Sequence, residues 1–414
     1  MGKTSEELYK ERLKRVQDAI ALKKPDRVPL VPVIETFPLF YTGITLKEAM
    51  NDYDKATKAF DKFIADFEPD LAWGPITIYP AKVLEHLDLK WFRWPGHGLP
   101  DNGMYQFVEG EYMKADEYDE FIYDPTHFIL TKYLPRIFGS LRALEKLPPM
   151  RDSIWLGWFG TFPTFAMPEI QDALKTLMEA AEELATWHKA LSEHTEKLKK
   201  MGYPMAYGGF TFAPYDLIGD TLRGTRGIML DMYRQPDKLI KAIEKMTPIS
   251  IEMGVRAARI SGVPIASIWL HKGCVGLMSD EQFQKFYWPS LREQIAGLID
   301  AGLTPIVWIE GDYTPRLKYL TDVPRGKVVY HFETVDLVKA KETLSGIACI
   351  NGNVPNSLLI AGTPDEVKDY CKMLIDLLGK DGGFMMETAG LLDEAKPENV
   401  KVMFEFTKEY GVYK

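Results

Sequence analysis

The second half of the chain alternates short apolar runs with amphipathic stretches, and this rhythm constrains the fold more than any other feature. The runs are rich in apolar and β-branched residues, and several of them have an ionisable side chain near the carboxyl end. They span residues 263–271, 303–311, 326–333, 346–353 and 382–390. Such runs are typical of strands buried on both faces of a parallel sheet. The stretches between them carry helix signals: Thr363 precedes a Pro and two acids, and Gly379 follows the last apolar turn.

The first half adds three apolar runs of the same kind, at 27–35, 69–78 and 203–212. Eight strands alternating with helices predict an α/β fold of the TIM (β/α)8 barrel type. Residues 1–414 then form a single domain, and residues 80–200 are an insertion after the second strand, over the barrel mouth. The run 153–162 is a candidate ninth strand. A doubly wound open sheet is the alternative, weakened because the chain has no glycine-rich GxGxxG turn.

Composition excludes several classes of protein. The chain has 414 residues, 50 basic and 59 acidic, and the net charge of −9 with no basic block disfavours a nucleic-acid binder. No apolar run reaches the roughly 18 residues that span a bilayer, so no membrane partner is expected. Three cysteines and an N-terminus without an apolar export signal predict a reducing, cytoplasmic location.

Catalytic groups of a barrel gather where its strands end. The polar residues at the predicted strand ends are Glu35, Tyr207, His271, Glu310, Asp312, His331, Asn351, Asn353 and Glu387. For any one of them, a solvent-facing strand end explains the residue as well as a function does. As a set they predict one concave site.

Glu310 and His331 end consecutive strands, so their side chains are expected to converge. A carboxylate and an imidazole make a plausible half of a zinc site, although a charged hydrogen bond needs no metal. The spacing His271-x-x-Cys274 also occurs in zinc sites, which makes Cys274 a candidate ligand. Cys349 and Cys371 are expected in the core.

Aromatic residues lie near the predicted strand ends, and those that face inward would line an apolar pocket. Tyr207, Phe212 and Trp269 are the main candidates, suited to an aromatic ring or a large planar cofactor. Asn351-Gly-Asn353 either binds a ligand through close backbone approach or is simply a tight turn.

Several motifs are similar to those of the uroporphyrinogen decarboxylase superfamily, from residue 27 onward. They are KKPDRVPLVP at 23–32, FAPYDLIGDTLRG at 212–224, LMSDEQFQKFYWPSLREQI at 277–295, INGNVPNSLLIAGTPDEV at 350–367 and AKPENVKVM at 395–403. The resemblance implies a single TIM barrel, in agreement with the strand count. It also implies one of two chemistries: cofactor-free decarboxylation of a tetrapyrrole, or zinc-dependent methyl transfer to or from a corrinoid.

Within the superfamily, the chain resembles the methyltransferases of anaerobic O-demethylase systems. Their zinc motif has a Glu and a His separated by twenty residues, as Glu310 and His331 are here, but its first Glu falls on Ile295. The thiolate ligands of coenzyme M methyltransferases are replaced by Trp308-Ile-Glu310 and Glu387-Thr-Ala389. The third ligand is therefore open, with candidates Glu387, Asp312, His271 and Cys274.

The resemblance to this branch implies methyl transfer from a methoxylated aromatic to the cob(I)alamin of a partner corrinoid protein. It also implies that the chain forms a homodimer. Glu310 and His331 would hold zinc, and Glu35 would bind a substrate hydroxyl. The alternatives are a metal-independent decarboxylase and a non-catalytic barrel that binds a tetrapyrrole or corrinoid. The decarboxylase is disfavoured because the resemblance implies an arginine-rich motif after the first strand, to bind an acidic porphyrinogen, whereas this strand ends in VIETFPLFY, with Glu35 and no arginine.

Overall fold

The chain folds into many helices around a parallel sheet. The structure is a computed structural model that describes residues 2–413. The α-helices are α1 Ser5–Ile20, α2 Phe37–Thr42, α3 Leu46–Asn51, α4 Tyr53–Phe67, α5 Ala81–His86, α6 Tyr118–Tyr123, α7 Pro125–Phe128, α8 Leu134–Ile137, α9 Trp158–Thr161, α10 Pro168–Lys200, α11 Pro214–Ile218, α12 Gly224–Arg234, α13 Pro236–Ser261, α14 Asp280–Gln282, α15 Trp288–Asp300, α16 Leu337–Leu344, α17 Asn356–Ala361, α18 Pro364–Leu374 and α19 Pro397–Tyr410. Across residues 2–413, no helix has the length and apolar character needed to cross a membrane.

The strands form two sheets. They are β1 Phe92–Pro95, β2 Gly98–Leu99, β3 Gln106–Phe107, β4 Gly209–Phe212, β5 Ile265–Leu270, β6 Thr304–Asp312, β7 Val329–Thr334, β8 Cys349–Asn351 and β9 Phe384–Met385. The larger sheet has the order β4-β5-β6-β7-β8-β9, and all its neighbours are parallel. All six residues of β5 are buried, because helices cover one face and the core fills the other. The five strands predicted in the second half are confirmed.

The predicted strands at 27–35 and 69–78 are extended segments with single bridges rather than regular strands. Leu30 pairs with Met386, and Ala72 pairs with Met205, both in parallel orientation. Proline interrupts both segments, and proline cannot donate to a ladder. Of the predicted strand at 203–212, only the last four residues, those of β4, form a regular strand.

Backbone hydrogen bonds nevertheless join these segments to both edges of the larger sheet. The amide of Val31 donates to Met386, next to β9, and the amide of Asp70 donates to Leu30. The amide of Ala72 donates to Pro204, five residues before β4 begins at Gly209. The buried carboxylate of Asp70 holds this region together, since it accepts from Arg15, Arg27 and the Leu30 amide at 2.6–2.9 Å.

Residues 80–200 contain the small sheet β1–β3 and the helices α5–α10. A separate apolar cluster packs here, formed by Val83, Leu87, Leu141, Leu144, Leu147, Ile170, Ala173 and Ala180. The run 153–162 is not a ninth strand. It forms turns and the short helix α9, and Trp155 is 88% exposed. An apolar run without a neighbouring strand has no ladder to join, so periodicity alone misassigned it.

Candidate functional site

His271 and Glu310 meet at the carboxyl ends of adjacent strands. Leu270 of β5 pairs with Ile309 of β6, so the next residue of each strand lies at the same level. Glu310 Oε1 lies 3.8 Å from His271 Nε2. About half of the Glu310 side chain (48%) is exposed, and 28% of the His271 side chain. The pair is therefore accessible from the side where ligands enter α/β folds.

Asp220 orients the imidazole of His271. It lies in the π-helical turn Gly219–Arg223 after α11, and its Oδ2 accepts a hydrogen bond from His271 Nδ1 at 2.7 Å. The ammonium group of Lys272 binds the other oxygen. Burial disfavours the imidazolium, but the bond to Asp220 and the charges of Asp216, Asp220 and Glu310 outweigh it and raise the pKa of His271 to about 9.

Asp216 fixes the backbone of the same segment. It is fully buried and accepts hydrogen bonds from the amides of His271 and Lys272 at 2.9 and 3.1 Å. The hydroxyl of Tyr287 donates to it as well. Burial and the charge of Asp220 raise the pKa of Asp216 to about 6. These contacts hold the position from which His271 faces Glu310.

The geometry of His271 and Glu310 fits two ligands of one zinc ion. Bonds of about 2.0–2.1 Å in a tetrahedral site place two ligand atoms roughly 3.3 Å apart. The observed 3.8 Å is close to that value. A carboxylate behind the distal imidazole nitrogen is the usual support of a metal-bound histidine, and Asp220 occupies that place. Within residues 2–413, no group of three His, Cys, Asp or Glu side chains stands at metal-binding distance.

His331 lies one layer deeper than Glu310. It pairs in register with Trp308, two residues before Glu310, which corresponds to about 6–7 Å along a strand. Its Nε2 lies 3.1 Å from the Ala389 carbonyl oxygen, and its Nδ1 lies 3.5 Å from Glu387 Oε2. The structure therefore brings Glu310 to His271 and directs His331 toward Glu387.

The His331–Glu387–Asn351 cluster is a buried polar centre. The amide nitrogen of Asn351 donates to Glu387, which is fully buried. Burial outweighs the favourable contacts with His331 and Asn351 and raises the pKa of Glu387 to about 7. Within the described chain, His331 Nδ1, Asn351 Oδ1 and Glu387 Oε1 are buried without a hydrogen-bond partner. Such atoms are costly to bury unless something pairs with them.

Two cavities adjoin the pair. The central cavity, of about 350 Å³, contains Glu310 and His331 and is lined by Val33, Trp269, Trp308, Ile309, Glu310, His331, Glu333, Asn356, Ala389, Gly390, Leu391 and Asp393. Trp269 and Trp308 stack there with ring centroids 5.1 Å apart. The aromatic cavity, of about 330 Å³, contains His271 and is lined by Trp91, Phe107, Val108, Glu109, Phe212, Asp216, Leu217, Asp220, Thr221, Thr225, His271 and Lys272.

Glu35 forms an acid pair with Asp393 at the wall of the central cavity. Burial, the charge of Asp393 and a hydrogen bond to it raise the pKa of Glu35 to about 8. This shift favours the protonated form of Glu35, which is hydrogen-bonded to Asp393. The amide and hydroxyl of Thr36 donate to Asp393 at 3.3 and 2.9 Å. Asp393 lines the cavity, so Glu35 faces the site from behind it.

Three other predicted site residues lie apart from the Glu310–His271 pair. Tyr207 packs on Trp73 at 5.1 Å between ring centroids. Asn353 donates to the Glu333 carbonyl oxygen at 3.3 Å and accepts from Tyr370 at 3.4 Å.

Among Tyr207, Asn353 and Cys274, it is Cys274 that lies nearest the Glu310–His271 pair. Its Sγ is 3.9 Å from the His271 carbonyl oxygen, and a Cβ at Gly311 would lie 3.0 Å from it. Cys349 and Cys371 are buried in the core, as expected.

Residues missing from the sequence-based set complete the site. Asp216 and Asp220 stand four residues apart in the stretch DLIGD, a spacing that places two side chains on one helical face. That spacing is the sequence signal by which these two acids could have been recognised as site residues. No signal in the sequence marks Trp91, Phe107 or Asp393 as site residues, because long-range packing alone brings them to the strand ends.

Comparison of this chain with known proteins identifies a matching family by sequence and a similar fold by structure. The sequence profile of the uroporphyrinogen decarboxylase family (URO-D) matches residues 160–410. Uroporphyrinogen decarboxylases of Syntrophotalea carbinolica and Chlorobium phaeobacteroides are each 24% identical over 203 and 193 residues, which cover 49% and 44% of this chain. The chain spans 58% and 52% of the length of these relatives.

A methyltransferase from Methanosarcina mazei has a similar structure. The TM-score is 0.63 with 16% sequence identity, and the superposition covers 99% of both chains. At this identity the likeness establishes a common fold. Because the family profile matches well over half of the residues, this chain belongs to the uroporphyrinogen decarboxylase family.

Proposed function

We propose that this protein is a zinc-dependent methyltransferase that moves a methyl group from a methoxylated aromatic to the cob(I)alamin of a corrinoid protein. We also propose that the larger sheet and the segments near residues 30, 72 and 205 form a closed (β/α)8 barrel. In this proposal residues 1–414 are one domain, and residues 80–200 are an insertion over its mouth. The similar proteins include both decarboxylases and a methyltransferase, so we base the choice between them on the chemistry of the site.

One observation carries the proposal: Glu310 Oε1 and His271 Nε2 face each other at 3.8 Å beside an aromatic-lined cavity. Thiol-activating zinc sites favour sulfur ligands, whereas this pair offers oxygen and nitrogen. A harder ligand set leaves zinc more electrophilic toward an ether oxygen. The pair therefore suits O-demethylation better than thiol methylation.

Glu310 and His271 are the residues that would hold zinc, and His331 and Cys274 stay candidates for a further ligand. Zinc bound there would supply a Lewis acid for the oxygen of the methyl ether. Asp220 would keep Nε2 of His271 turned toward the metal, through its 2.7 Å hydrogen bond to Nδ1. Asp216 would hold the strand end itself.

The remaining site residues would position the substrate. Phe212 in the aromatic cavity and Trp269 in the central cavity offer flat apolar faces for the ring of the methyl donor, and Trp269 is stacked on Trp308. Asn351 and Glu387 are fully buried beside His331, so they would hold the position of that imidazole at the central cavity. Glu35, whose pKa is raised by burial and by Asp393, would share a proton with Asp393 at the wall of the central cavity and so hold a proton beside a substrate hydroxyl.

The second candidate is a metal-independent decarboxylase, favoured by the family profile and the curated relatives. Its substrate would be highly anionic and would need cationic partners at the mouth. The central cavity instead presents Glu310, Glu333 and Asp393. This charge pattern favours the methyltransferase.

The deciding experiment incubates purified protein with cob(I)alamin and a panel of methoxyaromatics, and follows methylcobalamin formation by absorbance. We expect methylation by wild type, loss of activity in Glu310→Ala and His271→Ala, and normal activity in the control His188→Ala, an exposed histidine on α10. Decarboxylation of a porphyrinogen without methyl transfer would establish the second candidate instead.

A further inference from the structure

Large apolar side chains are exposed in one short segment around helix α9, residues 154–162, which we call the apolar segment. Trp155 is 88% exposed, Ile154 78% and Phe159 63%. Three more of its side chains are exposed: Leu156, Trp158 and Phe162. The apolar segment contributes to neither the central cavity nor the aromatic cavity, so the chemistry of the site does not account for it.

The exposed area of the apolar segment matches what an interface requires. A large apolar or aromatic side chain presents about 150–250 Å² when fully exposed, so the exposed fractions of these six residues amount to roughly 800 Å². The largest apolar patch on a typical monomer covers about 300–600 Å². Each partner in a stable complex of standard size buries about 800 Å². The apolar segment alone is therefore large enough for one side of a stable interface.

The apolar segment has a fixed shape. The hydroxyl groups of Ser153 and Thr161 form a hydrogen bond of 2.7 Å between its ends. The rings of Trp158 and Phe159 stack with their centroids 3.8 Å apart. Trp155 has a φ of 56°, a left-handed backbone conformation that bulky residues rarely adopt. A segment that is already held in one conformation loses little conformational entropy when it binds a partner.

The apolar segment also lacks charges that would oppose self-association. Residues 153–168 contain no Asp, Glu, Lys or Arg. The cations that precede this stretch are already paired, since Arg151 binds Asp124 and Lys146 binds Glu169. The net charge of −9 makes two copies of the chain repel each other. A contact through the apolar segment brings no like charges together.

A membrane surface is the other partner that exposed aromatic side chains can suit. Proteins that bind membranes peripherally combine such side chains with Lys and Arg residues that attract anionic lipids. Here the cations that flank the apolar segment are bound to acids, and the chain as a whole is acidic. The charge pattern therefore favours a second copy of the chain over a lipid surface.

We propose that the apolar segment is the interface at which two copies of this chain associate, with the same segment of each copy packed about a two-fold axis. An uncharged apolar surface is complementary to itself, as a symmetric dimer requires. Association removes the ring of Trp155 from water. The family resemblance implies a dimer but assigns no surface to it. The inference is independent of the proposed function, because it involves neither cavity.

The test is sedimentation velocity of the full chain at concentrations from about 0.1 to about 50 µM. We expect wild type to dimerise with a Kd of about 1 µM or lower, as is usual for an interface of this size. Trp155→Glu places a charge in the interface and should raise that Kd about 30-fold or more. The control Ile260→Glu changes an apolar residue of α13 that is 82% exposed, and it should leave the Kd unchanged.

A second measurement uses the unaltered protein. Hydrogen–deuterium exchange at the backbone amides of residues 154–162 should be slower at concentrations above the measured Kd than below it. A monomeric wild type at the highest concentration would overturn the inference. The same holds for an unchanged Kd in Trp155→Glu, for an equal loss of affinity in Ile260→Glu, and for exchange that does not depend on concentration. Monomeric wild type that sediments with phosphatidylcholine vesicles would assign the apolar segment to a membrane and overturn it too.

Discussion

Glu310 Oε1 lies 3.8 Å from His271 Nε2, at the ends of strands β6 and β5. The parallel register sets this contact, because Leu270 and Ile309 are partners and each functional residue comes next. Asp220 holds the far nitrogen of the imidazole. The account of function rests on this relationship.

Replacing Asp220 should weaken metal binding without unfolding the protein. Asp220→Asn removes the charge that supports His271, and loss of such an outer-shell carboxylate typically lowers metal affinity about 10-fold to 100-fold. Zinc affinity is measured by competition with a chelating dye. Asp54→Asn, an exposed residue on α4, serves as control. Unchanged zinc affinity in Asp220→Asn would show that Asp220 has another role.

The contribution of Glu35 to the stability of the folded protein should decrease as pH rises. Its pKa is about 8 in the folded chain against an ordinary value of 4.5, so the folded state binds more protons between these values. The stabilisation is complete below pH 4.5 and is lost as pH rises through 8. Glu35→Gln keeps the neutral form at every pH.

The melting temperature should therefore fall less in Glu35→Gln than in wild type between pH 6 and pH 8.5. We expect the variant to gain on the order of 2 °C relative to wild type over this range. Differential scanning fluorimetry measures the difference. A pH dependence identical to wild type would mean that Glu35 does not carry the shared proton.

Asp70 should be critical for stability and not for chemistry. It is fully buried and binds Arg15, Arg27 and the Leu30 amide, so Asp70→Asn removes the carboxylate that pairs with Arg27 and leaves Arg15 with Asp26 and Glu11 alone. Breaking a buried ion pair in this way costs about 3 kcal/mol or more. The urea midpoint should fall clearly, whereas the exposed control Asp119→Asn should not change it. An unchanged midpoint in Asp70→Asn would contradict this role.

The sequence predicts the second half of the fold well because strands there are short, apolar and buried on both faces. Residues 263–271 and 303–311 match β5 and β6 to within a few residues. Residues 27–35 and 69–78 read as strands by composition, but their prolines leave only single bridges.

The sequence predicts the correct strand ends for the site, but not the pairs within it. Glu310 and His331 end consecutive strands, yet register places His331 beside Trp308, one layer deeper. Register depends on cross-strand hydrogen bonds that no local pattern encodes. Asp393 reaches the site only through packing between segments that are distant in the sequence.

Metal analysis of the purified protein tests the central claim most directly. Zinc is quantified by inductively coupled plasma mass spectrometry after dialysis, in wild type, Glu310→Ala, His271→Ala and the control His188→Ala. We expect stoichiometric zinc in wild type and His188→Ala, and loss of zinc in the other two variants. Wild-type protein that methylates cob(I)alamin without zinc, or stoichiometric zinc in both Glu310→Ala and His271→Ala, would contradict it.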